Sequence, residues 1–395
     1  MQRSYRKFKI ILSNVIELNN YNVKVYNDID NIINVKGMLN KFSKMINLHK
    51  KMTKIENETN INNLEENFMQ FKYKLDITKT NDAQYGVNDI FEVFKSYKNN
   101  KEYIVSKNIN NNSLDIIQIE DNKKILSLKG HNDNIRTIRY FINENNYNEY
   151  IITADKNKIV IVWDITNDYN ILHKIDTKYL HIYSCLLVFE KNNRNNIIVS
   201  TSQTDINNAS TKVYSLETGK FIKFLKKTNN YSIYYLLSWK NKRDNKYYII
   251  QLANKLIIIN SLFDDDIYAL LSCKYEDAHY SGFISNNNNN EYLFSSSING
   301  YINIWDLYNK NNIKSINANG CNLSHIIKWN NSLIIVGYFL NKTFKIIDLT
   351  TGNIINQIKG QHSHEVVCVK KINHPLYGES LLTGSKDNTI KLWIL

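Results

Sequence analysis

The stretch Thr383-Gly-Ser-Lys-Asp-Asn-Thr-Ile-Lys-Leu-Trp393 aligns without gaps with Thr153-Ala-Asp-Lys-Asn-Lys-Ile-Val-Ile-Val-Trp163 and with Ser295-Ser-Ser-Ile-Asn-Gly-Tyr-Ile-Asn-Ile-Trp305. Each stretch reads as the end of one strand, a turn of small and polar residues, and a second strand with alternating apolar residues. Because the same pattern returns within one chain, the sequence predicts a repeat architecture.

Four weaker copies keep the alternating pattern but lack the tryptophan, and their equivalent positions are Ile117, Tyr214, Ile259 and Ile347. The seven equivalent positions recur every 42 to 51 residues. This period is close to the ~40–45 residues of a four-stranded propeller blade. We therefore predict an all-β fold, a seven-bladed β-propeller of four-stranded repeats over residues 65–395, preceded by a small mixed N-terminal extension.

Over about residues 66–395 the chain resembles the WD-repeat (Trp-Asp repeat) family. Two of the tryptophans are followed by aspartate, and the pair Gly130-His131 precedes one of them. The resemblance implies a hydrogen-bonded set of His, Ser or Thr, Asp and Trp within a blade. In the seventh blade this set is His362, Thr383, Asp387 and Trp393. In the second blade it is His131, Thr153, Asn157 and Trp163.

Asn157 stands where the family has aspartate, so the sequence predicts a weaker network in the second blade. The fifth blade has Asn299 at that position and Trp305 at its end, with His279 as the candidate histidine partner. A buried imidazole and a buried indole N–H must each find a hydrogen-bond partner. We therefore interpret these residues as a structural support and not as a catalytic site.

The seventh blade, residues 364–395, has the pattern of only three strands. The segment 71–78 alternates apolar and polar residues, so we expect it to supply the fourth strand and close the ring. Residues 1–64 are predicted to contain short strands and a helix near 36–58. That helix either packs on the propeller or docks a partner.

The chemistry of an enzyme is not suggested by any motif. The sequence has no phosphate-binding loop, no HExxH and no GxSxG. Its four cysteines have no metal-binding spacing. We therefore predict no catalytic residue, no cofactor and no metal site. Neither a secretory signal nor a membrane span is expected, which predicts a cytoplasmic or nuclear protein.

The net charge of +13 accompanies an excess of lysine, asparagine, isoleucine and tyrosine. All four residue types have AT-rich codons, so composition bias explains the charge better than a selected basic surface. A second interpretation, an RNA-associated propeller of the kind found in ribosome maturation, would use the following basic residues: Lys123, Lys124, Lys129, Arg136 and Arg139.

The main functional expectation is a scaffold that binds proteins or peptides in a multiprotein complex, with no small-molecule substrate. A further alternative is a substrate-receptor adaptor of a ubiquitin ligase. Asparagine-rich inserts occupy the loops that join first and second strands, so recognition is expected on the opposite face. The candidate contacts there are Asp133, Arg136, Lys156, Ile298, Glu365 and Lys386.

Overall fold

The computed structural model describes residues 72–79, 91–108, 111–178, 182–190, 194–201, 211–225, 231–264, 266–272, 278–287, 290–320, 322–338 and 342–395. For 72–79 and Thr201 it describes the backbone alone. Residues Met69–Leu395 form one compact unit. The predicted extension over residues 1–64, with its helix near 36–58, lies outside the described residues.

The described strands form seven four-stranded antiparallel sheets, one for each predicted blade. Blade 1 contains β2 (Phe91–Lys95), β3 (Glu102–Asn108), β4 (Ser113–Gln118) and β5 (Lys123–Leu128). Blade 2 contains β6 (Ile135–Ile142), β7 (Glu149–Asp155), β8 (Ile159–Asp164) and β9 (Asn170–Asp176). Blade 3 contains β10 (Ile182–Val188), β11 (Asn196–Thr201), β12 (Lys212–Ser215) and β13 (Phe221–Phe224).

The remaining blades repeat this order from the innermost strand outward. Blade 4 contains β14 (Ile233–Lys240), β15 (Tyr247–Ala253), β16 (Ile257–Ser261) and β17 (Ile267–Leu271). Blade 5 contains β18 (His279–Asn287), β19 (Asn290–Ser297), β20 (Tyr301–Asp306) and β21 (Asn311–Asn317). Blade 6 contains β22 (Leu323–Lys328), β23 (Leu333–Tyr338), β24 (Phe344–Asp348) and β25 (Ile354–Ile358). Blade 7 contains β26 (Val366–His374), β27 (Gly378–Ser385), β28 (Thr389–Ile394) and β1 (Lys72–Lys79).

All seven blades share one register between their second and third strands. Each third strand contains one of the seven equivalent sequence positions, which is called here the repeat position. In every blade it lies opposite an isoleucine or leucine of the second strand. The pairs are Ile104 with Ile117, Ile151 with Trp163, Ile197 with Tyr214, Ile250 with Ile259, Leu293 with Trp305, Ile334 with Ile347, and Leu381 with Trp393. The seven-bladed propeller predicted from the period is therefore confirmed.

The innermost strands contact one another in chain order, and β2 contacts β26, so the blades form a closed ring around a channel. Small polar side chains tie neighbouring inner strands together. The Ser184 hydroxyl accepts a hydrogen bond from the Leu236 amide at 3.2 Å. The Cys368 thiol donates to the Phe91 carbonyl at 3.8 Å, between the last and first blades.

The outermost strand of the seventh blade comes from the N-terminal side of the ring. Strand β1 pairs antiparallel with β28, and Lys72 lies opposite Ile394 while Lys79 lies opposite Thr389. The seventh sheet thus joins the two ends of the compact unit. The outer edge of β28 is hydrogen-bonded to β1 and is not left open to other chains.

The apolar core lies between blades. Trp163 packs with residues of the first blade, Trp305 with residues of the fourth, and Trp393 with residues of the sixth. Each of these indoles is at most 2% exposed. Because a buried aromatic side chain removes a large apolar area from water, each tryptophan fixes its blade against the preceding one.

Candidate functional site

The seventh blade contains a complete chain of side-chain hydrogen bonds, which we call the brace. The His362 Nδ1 lies 2.8 Å from the Asp387 carboxylate, and its Nε2 lies 2.7 Å from the Thr383 hydroxyl. The Trp393 indole donates to the same hydroxyl at 2.7 Å. A neutral imidazole that donates from Nδ1 and accepts at Nε2 satisfies all of these contacts.

The Asp387 carboxylate also fixes the turn between β27 and β28. It accepts hydrogen bonds from the Thr389 and Ser363 amides at 3.0 and 2.9 Å. Burial alone would raise the pKa of Asp387, but the hydrogen bonds from His362 and Thr389 outweigh it and hold that pKa well below its usual range.

The brace of the second blade takes its carboxylate from a position two residues before the one that the alignment of the repeats indicated. His131 Nδ1 lies 2.9 Å from Asp155, its Nε2 lies 2.7 Å from Thr153, and the Trp163 indole donates to Thr153 at 2.9 Å. Asn157 takes no part through its side chain; its backbone amide donates to Asp155 at 2.9 Å. Asn157 is therefore not the residue that completes this set, because Asp155, two residues earlier, supplies the carboxylate. The prediction of a weaker network in this blade stays a prediction.

The fifth blade keeps only part of this arrangement. The Trp305 indole donates to the Ser295 hydroxyl at 3.0 Å, and the His279 ring centroid lies 6.2 Å from that of Trp305. The two positions that supply a carboxylate elsewhere are Ser297 and Asn299 here, and Asn299 is exposed. Burial lowers the pKa of His279 to about 4.

The braces hold a set of turns at one end of the propeller, which we call the brace face. In three blades the first residue of the turn between second and third strands donates its amide to the loop that precedes the inner strand. These bonds run from Lys156 to Asn134 at 3.0 Å, from Ile298 to Ala278 at 2.9 Å, and from Lys386 to Glu365 at 3.0 Å.

The six predicted contact residues all lie at this end, but they belong to the second, fifth and seventh blades and form no single patch. Lys156 is exposed, and the other five are partly buried. Lys386 and Glu365 form an ion pair with each other. Asp133 accepts a hydrogen bond from the Asn134 amide at 2.6 Å. Lys386, Glu365 and Asp133 therefore already interact with other groups of the chain.

The five basic residues of the RNA interpretation do not come together either. Lys123 and Lys124 are exposed on β5, the outermost strand of the first blade. Arg139 lies on the innermost strand β6 and donates to the Leu236 carbonyl, two blades away, at 2.7 Å. Its guanidinium also lies 5.0 Å from the centre of the Tyr235 ring. Arg139 therefore stabilises the inner strands.

A recurring β-bulge marks the innermost strands. In six of them the register shifts directly after the first residue, as after Ile135 in β6 and Val366 in β26. A bulge leaves its extra residue outside the ladder and redirects the side chain. In four consecutive blades that residue is large: the bulged side chains are Arg136, Tyr183, Tyr234 and Tyr280.

These four side chains form a continuous row at the channel mouth on the brace face, called here the channel-mouth row. The Arg136 guanidinium lies 5.8 Å from the Tyr183 ring centre. The Tyr183 and Tyr234 rings are 5.3 Å apart, and the Tyr234 and Tyr280 rings are 4.8 Å apart. Burial and the neighbouring phenols raise the pKa of Tyr280 to about 12, so it stays a protonated donor.

Sequence reasoning found Arg136 but missed the three tyrosines. The signal was present, since each tyrosine is the second residue of an inner strand, in Ile182-Tyr-Ser184, Ile233-Tyr-Tyr235 and His279-Tyr-Ser281. From the alternation of the strand alone, such a residue looks like any other strand residue. Only the bulge places it at the channel mouth.

The fold defines the class of protein, a seven-bladed β-propeller of four-stranded blades. A profile of the family described as WD domain, G-beta repeat matches residues 122–164 and 352–393, which include the two complete braces. The matched repeats and the seven-bladed ring together identify the chain as a WD-repeat propeller protein. Propellers of this family typically bind proteins and are generally non-catalytic.

The described residues add two negative findings. They contain no group of three or more His, Cys, Asp or Glu side chains that could hold a metal ion. Within the same part of the chain, no helix has the length and apolar character that crossing a membrane requires.

Proposed function

We propose that this protein is a non-catalytic scaffold that binds a protein partner at the channel-mouth row and assembles it into a multiprotein complex in the cytoplasm or nucleus. The observation that carries the proposal is the row itself, three tyrosines and an arginine brought together from four consecutive blades. Tyrosine and arginine dominate the binding energy of protein interfaces. The row is only partly buried, so a partner can remove more of its surface from water.

The rim of the proposed interface is the set of turns that the braces hold. Asp133 lies three residues before Arg136, and Lys156 lies in the turn between the second and third strands of the same blade. A rim charge contributes to the rate of encounter and to partner choice more than to affinity. Charge reversal at Lys156 and Asp133 is therefore expected to weaken partner binding moderately and to leave the melting temperature unchanged.

A cavity of about 580 Å³ lies between the fifth and sixth blades. Apart from Tyr292, its one ionisable side chain is Lys328, whose ammonium donates to Ser285 at 3.0 Å. Acid–base or nucleophilic catalysis needs convergent groups of complementary role, which this lining does not offer.

The test compares partners captured from native cells by the full chain and by two double variants. Tyr183→Ser with Tyr234→Ser removes two members of the row. Tyr97→Ser with Tyr147→Ser is the matched control, because these tyrosines stack at 4.5 Å in first-to-second strand turns on the opposite face. Loss of a specific protein set from the first variant alone is the expected result.

The same experiment separates the alternatives. If both variants retain the same proteins, the channel-mouth row is not the interface and the proposal fails. Recovery of mainly RNA that dissociates at moderate salt would instead support the RNA-associated propeller. Mass spectrometry of the captured proteins decides whether the complex is a ubiquitin ligase.

A further inference from the structure

Lys107 occupies a position that the other blades fill with very small residues. On each second strand, this position lies three residues after the isoleucine or leucine that pairs with the repeat position of the third strand. In Blade 1 the residue is a lysine, whereas the equivalents in blades 2 to 7 are Ala154, Ser200, Ala253, Ser296, Gly337 and Gly384.

The reason for the small residues is a close approach of two inner strands. The Ser200 hydroxyl donates to the carbonyls of Ser184 and Ile233, which belong to the inner strands of its own blade and of the next. A Cβ at Gly337 would lie 2.8 Å from the Ser324 hydroxyl. A lysine at this position therefore lies where β3 approaches β6, the inner strand of the second blade.

The Lys107 side chain is 6% exposed, and burial together with the charge of Arg136 lowers its pKa to about 8. In the described part of the chain, no carboxylate forms an ion pair with either Lys107 or Arg136. Burial of a charge costs free energy unless an opposite charge compensates it, and a second cation nearby increases that cost. Lys107 is thus close enough to Arg136 for their charges to repel each other, and Arg136 belongs to the channel-mouth row.

We propose that Lys107 and Arg136 form an anion site at the channel mouth, which binds a carboxylate or phosphate group carried by the partner protein. The proposal rests on the function proposed above and names the chemistry of the partner segment. A guanidinium binds an oxyanion through two parallel N–H bonds, and the ammonium adds a compact positive charge. The phenol of Tyr280 stays protonated and can donate to the same segment.

The geometry favours a peptide over a nucleic acid. Single-stranded nucleic acids bind through bases that stack on open aromatic faces. The Tyr183, Tyr234 and Tyr280 rings are tilted by 54° and 58° against each other, and Arg136 lies over the Tyr183 ring. Neighbouring rings of the row therefore meet at an angle and do not form a series of parallel faces for stacked bases.

The first test uses inorganic phosphate and acetate as probes on the full chain, at constant ionic strength, with the melting temperature as the readout. An anion that binds only the folded protein raises that temperature, and the rise depends on the logarithm of the ratio of anion concentration to dissociation constant. Lys107→Ala introduces the residue that Blade 2 has at this position, so the variant is expected to fold at least as stably as wild type. Its apparent affinity for phosphate, and that of Arg136→Gln, should fall at least tenfold.

Lys345→Met is the matched control. Lys345 is 4% exposed, but its ammonium donates to the carbonyls of Ala318 and Asn319 at 2.9 and 2.6 Å. This variant should lower the melting temperature without changing the response to phosphate. Equal stabilisation of wild type and Lys107→Ala by phosphate would show a general salt effect and would overturn the anion site.

The second test distinguishes the sources of the anion. Peptides with a central glutamate, phosphoserine or glutamine are titrated into wild type and Lys107→Ala. Preferential binding of either anionic peptide by wild type supports the site and identifies the group. A single-stranded RNA oligonucleotide that depends on Lys107 while the peptides do not bind would overturn the peptide assignment. If captured partners depend on Tyr234 but not on Lys107, the interface stands and the anion site falls.

Discussion

The second and seventh blades contain the same brace but take its carboxylate from different places in the chain. Asp155 is the last residue of β7, whereas Asp387 lies two positions further on, in the turn after β27. Both carboxylates reach the Nδ1 of their histidine, at 2.9 and 2.8 Å. The brace therefore requires a carboxylate oxygen beside the Nδ1 of the imidazole, and a residue at either chain position can supply it.

The two blades differ also in continuity. Blade 2 consists of four consecutive strands, whereas Blade 7 takes its outermost strand from β1 at the other end of the compact unit. Deleting this strand would expose the edge of one blade and leave the other intact. The consequences of these differences can be measured, beginning with the largest.

A chain that starts at residue 80 should lose its cooperative unfolding transition. Removal of β1 takes away every hydrogen bond along the outer edge of β28 and opens the ring at one blade. A chain that starts at Met69 keeps the strand and serves as the control. Circular dichroism during urea unfolding measures both. A sharp, unchanged transition for the shorter chain would show that the ring does not depend on β1.

Asp155→Ala should lower the free energy of unfolding by about 3 kcal/mol, because it leaves the buried His131 N–H without an acceptor and releases the Asn157 and Ile159 amides. Asn157→Ala is the matched control and should change it by less than about 0.5 kcal/mol. Urea unfolding at neutral pH gives both values. A larger effect at Asn157 than at Asp155 would restore the position that sequence alignment indicated.

The fifth blade has a buried histidine, His279, but no aspartate at either of the two positions that supply the carboxylate in the second and seventh blades. The native pKa of His279 is about 4, below its usual value of 6.5. The unfolded chain therefore binds the proton first, and stability is lost as the pH falls from about 6.5 to about 4. Between pH 7 and pH 5 this group should remove about 2 kcal/mol of the unfolding free energy. His279→Leu should remove that part of the pH dependence, whatever its effect at pH 7.

The smallest effect concerns the indole bonds that both braces share. Trp163→Phe and Trp393→Phe each remove one N–H bond to a buried threonine, at 2.9 and 2.7 Å. Each change should lower the unfolding free energy by about 1–2 kcal/mol, and by a similar amount in the two blades. Thermal unfolding of the two variants in parallel provides the measurement. A clear difference between them would mean that the two braces are not energetically equivalent.

Much of the architecture could be predicted because it depends on short sequence patterns that recur along the chain. The alternation around Trp163 and Trp305 identified strands, and the constant spacing of seven positions identified blades. Arg136 was also found, since its loop follows a recognisable Gly-His pair. Tyr183 and Lys107 were not found, because their importance depends on a bulge and on the approach of two inner strands, neither of which appears in a period.

The repeat and the number of blades follow from the sequence alone, because apolar alternation and turn residues act over a few positions. The packing of the blades, in contrast, was needed to establish that Asp155 and not Asn157 completes the brace, and that four bulged side chains meet at the channel mouth. Hydrogen bonds and ion pairs depend on distances of about 3–4 Å between atoms. Those distances are set by how loops and strands from different blades approach one another, which counting along the chain does not give.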